Sequence, residues 1–426
     1  MSTSALQVAL LGCGTVGSEV VRLLQEQAAD FEARCGAKLE LTGIAVRDLE
    51  ATRPDHVPTE LLTTEAEELV ERADLVIELI GGIEPARSLI LRAINHGASV
   101  ITGNKALLAA HGPQLYQAVV DNDVDLYYEA AVAGAVPVVY ALRESLAGDE
   151  VTRISGIVNG TTNVVIDMME TEGKTFAEAV KTAQDLGYAE ADPSADIDGY
   201  DAAAKIAIMA SIAFHSRVAL DQVHTKGISE LTPEQLQAAK DEGYRVKLIA
   251  TAERRAEGIS IWVAPSLVPL SNPLSSISGA DNAVVTESKA AGRLMFTGQG
   301  AGGAPTASAV LSDVVAAAAK RVSGGHAPRE LPYAALPVLA SDERIGIYQV
   351  RLLVRDTVGV LAKVAQIFAD AGVSIAKVQQ ATRARHDAVL SLTTHATSYG
   401  QLAEAISQLR ECDVVANVQW VIEVEG

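Results

Sequence analysis

Short apolar runs alternate with stretches of helical spacing over the first third of the chain. Gln7 to Leu11, Leu39 to Val46, Asp74 to Leu79, Ser99 to Thr102 and Asp125 to Tyr128 read as buried strands. Between them, Glu19 to Gln27 carries Val20, Val21, Leu23 and Leu24 on one helical face, and Pro85 to His96 reads as a second helix. Strands separated by helices predict a parallel sheet. Past Pro137 the pattern changes. Thr152 to Val158 is a strand, Thr175 to Leu186 an amphipathic helix, and Ala202 to Phe214 an apolar helix whose only charge is Lys205. Ile259 to Ala264, Ala283 to Glu287 and Gly292 to Thr297 predict strands of a second, mixed sheet, with Pro265, Pro269 and Pro273 interrupting the connection. A helix over Thr306 to Val322 precedes a linker, Ser323 to Asp342, marked by Gly324, Gly325, Pro328, Pro332 and Pro337. The tail then reads strand (Ile347–Val354), helix (Val360–Ala371), strand (Val373–Thr382), strand (Ala388–Thr394), helix (Tyr399–Leu409), strand (Val414–Val424). A β-α-β-β-α-β unit of this size is ferredoxin-like.

The first strand runs directly into Gly12-Cys13-Gly14-Thr15-Val16-Gly17 and a helix. Strand, G-x-G-x-x-G and helix in that order is the dinucleotide fingerprint in its required context. The glycines allow a tight turn and close approach to a pyrophosphate, which the helix N-terminus attracts. The second strand ends at Arg47 followed by Asp48. An arginine there accepts the 2′-phosphate of NADP, whereas an acid binds the 2′-hydroxyl of NAD; the reading favours NADP and leaves NAD open. Ligands in such sheets bind beyond the carboxyl ends of the strands, so Lys105, after Thr102-Gly103-Asn104, points to the cofactor cleft. Gly298-Gln299-Gly300-Ala301-Gly302-Gly303 opens a helix that offers a second N-terminus.

The densest chemistry lies between Leu186 and Met209. Glu190, Asp192, Asp196, Asp198 and Asp201 precede the apolar helix, and Pro193 and Gly199 stop any helix from crossing the acidic part. Asp201 and Lys205 are four apart and share a helical face. One reading is an exposed ion pair after a solvated loop. The sharper reading is a buried lysine kept charged by acids and used as a proton donor. G-Y-A-E-x-D-P-x-x-D-x-x-G-x-D-A-A-x-K closely resembles the catalytic segment of the homoserine dehydrogenase family. That resemblance implies reversible NAD(P)H-dependent reduction of L-aspartate 4-semialdehyde to L-homoserine, in the route to threonine, methionine and isoleucine. It makes Lys205 the acid/base, Lys105 a second active-site cation, Glu190 and Asp201 substrate ligands, and Asp196 their support. It also puts Gly187, Glu190, Lys105 and Gly302 against the cofactor, beside Gly12, Gly14, Thr15, Val16, Gly17 and Arg47. N-G-T-T-N (Asn159–Asn163) matches a stretch bordering the site, and is equally an Asn-Gly turn with a helix cap. Glu129 to Pro137 matches a turn that binds a monovalent cation, sodium by its oxygen donors, through Glu129, Val132, Gly134 and Val136.

R-D-T-V-G-V-L-A-K-V-A-Q-I-F with G-V-S-I resembles an ACT regulatory domain. An amino-acid effector, threonine by the same resemblance, would bind between Asp356, Gly359, Val360 and Leu361 and the loop carrying Gly372, Ser374 and Ile375. ACT pairing implies a homodimer or homotetramer. The expected class is α/β: a Rossmann domain (1–136), an α+β mixed-sheet catalytic and dimerisation domain (137–300), a helix returning to the nucleotide domain (301–325), a linker (326–344) and a ferredoxin-like ACT domain (345–426). A net charge of −20 argues against nucleic acid. The apolar run Val8 to Leu11 is far short of a membrane span or signal segment. Three widely spaced cysteines and eight histidines show no metal spacing, and the expected location is the cytoplasm. Two rivals stand beside this reading: a binding-only nucleotide and amino-acid sensor, and a hydroxy-acid dehydrogenase, which would need a His–acid pair.

Overall fold

The computed structural model describes residues 5–382 and 387–426. Two compact units are present, each built from several chain segments: Met1–Gly160, Tyr200–Val223 and Gly279–Leu336 in the first, Thr161–Gly199, His224–Ser278 and Pro337–Gly426 in the second.

In the first unit six parallel strands lie in the order Leu62–Thr63, Leu39–Ala45, Leu6–Leu11, Leu75–Glu78, Ser99–Thr102, Leu126–Tyr127. Val8, Leu10, Leu75, Ile77 and Ile101 are fully buried, as near-continuous apolar strands of a parallel sheet must be. The helix Thr15–Glu26 covers them with Val20 and Val21, and the long helix Gly303–Ser323 adds Ala307, Val310, Leu311 and Val314 to the same core. The chain therefore returns to the nucleotide sheet after an excursion of well over a hundred residues. A separate antiparallel ladder in this unit pairs Val151–Ile157 with Asp281–Ser288, and that strand with Gly292–Gln299.

In the second unit Tyr244–Arg254 pairs antiparallel with Ile259–Pro269, whose far side takes two short parallel pairings, from His224–Thr225 and from Val415–Val424. The terminal residues form the expected four-stranded sheet, in the order Val415–Val424, Ile345–Arg355, Asp387–Thr394, Ile375–Thr382. Its helices Val360–Asp370 and Tyr399–Glu411 bury Val364, Phe368, Leu402 and Leu409 against Val350, Leu352, Leu390 and Leu392.

The helices Lys105–Asp121 and Pro233–Asp241 add to the elements of the pattern reading, and two further details depart from it. Pro265 does not end a strand: Ile259–Pro269 runs straight through it. Proline cannot donate to a ladder. Here its missing N–H falls between the pairing at Trp262 and Val263 and the pairing at Ser266 and Leu267, so no ladder is broken. The strand Tyr244–Arg254 also went unread, because Arg245 and Lys247 interrupt its apolar run. Lys247 is nonetheless fully buried, donating to Asp167 at 2.7 Å and to Asn163 at 2.8 Å. Among the described residues no helix is long and apolar enough to cross a membrane.

Candidate active site

The Gly-rich loop has the geometry its residues require. Gly12 adopts φ +95° and a Cβ there would meet the Leu79 carbonyl oxygen at 2.8 Å, while one on Gly17 would sit 2.3 Å from the Gly12 carbonyl oxygen. Side chains at either place would push the turn apart. Gly14, the N-cap of the first helix, has nothing within 4 Å of a notional Cβ. This open side, with free N–H groups of a helix N-terminus behind it, fits a pyrophosphate. Thr15 and Val16 form the first turn of that helix. Gly302 caps the helix Gly303–Ser323, and Gly303 lies against Thr15, so the two helix N-termini converge. Glu78, fully buried at the end of its strand, accepts from the Ile80 and Gly81 N–H groups and from the Thr102 hydroxyl, holding two strand ends in register. Arg47 is exposed just past the second strand. Arg53, which sequence reasoning passed over, reaches back and donates to the carbonyls of Asp48 and Ala51.

Beyond these strand ends lies a cluster of charge. Helix Tyr200–Ala213 buries every side chain from Asp201 to Ala210, so its lysine cannot be a surface group. Lys205 is 9 % exposed; its ammonium donates to Asp201 Oδ2 at 2.8 Å and to the Val158 carbonyl at 2.7 Å. Lys105, one residue past its N-cap Asn104, places its ammonium 2.8 Å from Asp201 Oδ1. Asn159 adds a hydrogen bond to Asp201 Oδ2 at 2.8 Å. Burial opposes ionisation of Asp201, but the charges of Lys205 and Lys105 outweigh it and hold the carboxyl well below the usual range. A carboxylate offers about four lone-pair positions. Among the described residues three are taken, by Lys205, Lys105 and Asn159, and the fourth is open to a ligand. The backbone brings together three of the residues expected from the sequence, Lys205, Lys105 and Asp201. It adds the Val158 carbonyl and Asn159, the first residue of the N-G-T-T-N stretch that the resemblance sets beside the site.

The other expected residues stand as follows. Glu190 and Gly187 lie on an exposed loop of the second unit, where Gly187 has φ +79° and the Glu190 carbonyl accepts from Gln184. Asp196 sits half-buried in the short helix Ser194–Ile197. In the first unit, Glu129, Val132, Gly134 and Val136 share one tight turn. Glu129 is buried, and its two oxygens accept from the Val139 and Tyr140 N–H groups at 2.9 and 2.7 Å. Burial, only partly offset by those bonds, still pushes its carboxyl up to about 7. Asp313, from the long helix, accepts from the Glu129 N–H at 2.8 Å, and burial plus the Glu129 charge push it up to about 8. Two buried acids this short of positive charge form a donor set that a small cation would relieve. Among the described residues no cluster of three or more His, Cys, Asp or Glu could hold a metal ion, so any ion here would depend on backbone carbonyls. In the terminal domain Asp356, Gly359, Val360 and Leu361 line a cavity of about 470 Å³, whereas Gly372, Ser374 and Ile375 do not.

A Rossmann sheet with a Lys–Asp–Lys cluster beyond its strand ends, Asp201 and Lys205 buried and Lys105 partly exposed, is the arrangement an NAD(P)-dependent oxidoreductase needs. Comparison with known proteins narrows the class. Residues 137–315 match the homoserine dehydrogenase family, 12–129 its NAD-binding domain, and 348–413 the ACT domain. Homoserine dehydrogenase of Corynebacterium glutamicum is 48 % identical over 99 % of this chain and 96 % of its own. The crystal structure of a homoserine dehydrogenase from Thiobacillus denitrificans superposes with a TM-score of 0.92 at 36 % identity, over 100 % of this chain and 99 % of that one. A hyperthermophilic archaeal homoserine dehydrogenase in complex with NADPH matches at a TM-score of 0.64 and 26 % identity, covering 77 % of this chain and 100 % of that one. The chain belongs to the homoserine dehydrogenase family.

Proposed function

We propose that this chain reduces L-aspartate 4-semialdehyde reversibly to L-homoserine, with Lys205 delivering the proton. The Lys105–Asp201–Lys205 cluster carries the reading, since a buried ammonium fixed on two sides is suited to meet a developing alkoxide. In the reducing direction Lys205 protonates the aldehyde oxygen as it gains negative charge, and Lys105 holds the same oxygen. Asp201 keeps both ammonium groups in place and turns its remaining lone pair to the substrate ammonium, which Glu190 also grips. Asp196 supports the substrate site. The nicotinamide, once bound, supplies the hydride.

Gly12, Gly14, Thr15, Val16, Gly17, Gly187, Glu190, Lys105 and Gly302 would hold the dinucleotide, and Arg47 at its strand end favours NADP over NAD. Glu129, with the carbonyls of Val132, Gly134 and Val136, would hold sodium, whose charge would offset the buried acids. The chain is read as a nucleotide domain over 1–136, a catalytic and dimerisation domain over 137–300, a returning helix over 301–325, a linker over 326–344 and a regulatory domain over 345–426. The regulatory domain takes an amino-acid effector, threonine, at the Asp356–Leu361 turn. A cytoplasmic homodimer or homotetramer completes the proposal.

The test is semialdehyde-dependent oxidation of NADPH, run in parallel with NADH. The reading expects turnover with both and a lower KM for NADPH. Nucleotide-dependent stabilisation without any semialdehyde-dependent oxidation would instead identify a sensor.

A further inference from the structure

A second cavity lies in the same unit, away from the Asp356–Leu361 turn. Its volume is about 400 Å³, in the range of small-molecule sites. One wall comes from the catalytic segments, with His224, Lys226 and Ala264; the other comes from the terminal domain, through the helix Tyr399–Glu411 and the strand Val415–Val424. Between them sits Arg344, only 6 % exposed. Its guanidinium stacks near Trp262 and Tyr399, at 5.0 and 4.9 Å, and its Nε donates to the Tyr348 hydroxyl at 3.3 Å. Glu423 Oε2 lies 3.6 Å from Nη2, an ion pair too long for a hydrogen bond. Nη1 is buried with no hydrogen-bond partner among the described residues.

A buried guanidinium N–H left open is costly. A stacked arginine is also well suited to take a planar carboxylate. The acid beside it, Glu423, suits a positive group on the same ligand, while Glu230 at the rim is paired with Lys226 at 3.1 Å and Arg410 also lines the cavity. Leu402, Ile406 and Trp420 offer apolar contact for the remainder. Burial, Arg344 and Lys226 hold the His224 imidazole below its ordinary value.

We infer that this cavity is a second amino-acid site, in which the carboxylate of a zwitterion meets Arg344 and its ammonium faces Glu423. A ligand there would touch the catalytic strand Ile259–Pro269 and the helix Tyr399–Glu411 together. Its occupancy would thus fasten the regulatory domain to the catalytic segments, independently of the turn cavity.

The full-length protein, titrated calorimetrically with each common L-amino acid and with the matching amino-acid amide, tests this. At least one amino acid should bind with its amide weaker by tenfold or more. Arg344→Gln and Ala403→Trp, the latter filling the cavity from an exposed helix position, should each weaken that binding at least tenfold. Asp356→Ala, in the turn cavity, should leave it unchanged. Should Arg344→Gln fail to fold, Ala403→Trp decides alone. Binding that survives Ala403→Trp, binding lost only with Asp356→Ala, or no amino-acid binding at millimolar concentration would each overturn the assignment.

Discussion

Replacing Asp201 by asparagine tests the electrostatic frame of the site. The change keeps the shape and removes the charge between two ammonium groups at 2.8 Å. At an effective dielectric near 20, each contact is worth roughly 6 kcal/mol of gross attraction. Desolvation cancels much of that, and the Lys105 share is discounted further because its side chain is 42 % exposed. Losing one partner of a buried pair costs about 3–5 kcal/mol, which is the expected loss of stability for Asp201→Asn. Turnover should fall about a hundredfold or more, as for removal of a positioned acid or charge. The decisive assay is a double-mutant cycle with Lys205→Met, measured as kcat/KM and as stability by denaturant unfolding. Because the two residues act as a unit, the double variant should lose little beyond the worse single variant. Additive losses in turnover would refute the idea that Asp201 acts through Lys205.

Other perturbations probe separate parts of the site. Asn159→Ala should lower kcat about tenfold with KM for NADPH unchanged, read by steady-state kinetics, because Asn159 touches Asp201 through a buried bond. Arg47→Ala should raise KM for NADPH by about tenfold and leave NADH unaffected; equal changes for both cofactors would remove Arg47 from the 2′-phosphate. Glu129 and Asp313 have carboxyls raised to about 7 and about 8, so the stability of their protonated forms is present below about pH 4 and is lost as pH rises through those values. Melting temperature should therefore fall between pH 5 and pH 8 in a buffer with only bulky organic cations. Sodium should restore it at pH 8 and not at pH 5, and Asp313→Asn should flatten the pH slope.

The site was legible where a residue broke its own local pattern. Lys205 stood out as a lone charge in an Ala, Ile and Met helix, which has no cheap explanation on a surface. The same signal is present at Asp313, the only charge between Thr306 and Ala319, and its burial on the long helix against Glu129 follows the same logic. Asn159 was set beside the site only by resemblance, because its Asn-Gly turn already explains itself locally. Its bond to Asp201 is a long-range pairing that no spacing encodes. Lys247 acts in the opposite sense, since a lysine amid apolar residues masks a buried strand whose charge Asp167 answers from the helix Gly160–Glu172. Arg344 lay in a stretch of linker composition, and only tertiary structure brings three aromatic rings around it. Parallel strands, the glycine turn and the terminal β-α-β-β-α-β unit were readable because each rests on periodicity or on backbone needs a few residues long.

Single-turnover oxidation of NADPH by semialdehyde, compared between the parent protein and Lys205→Ala with NADPH affinity measured alongside, addresses the central claim most directly. The account predicts a loss of at least a hundredfold in the reduction rate and unchanged affinity for NADPH. A variant that still reduces the semialdehyde at the parent rate would contradict it.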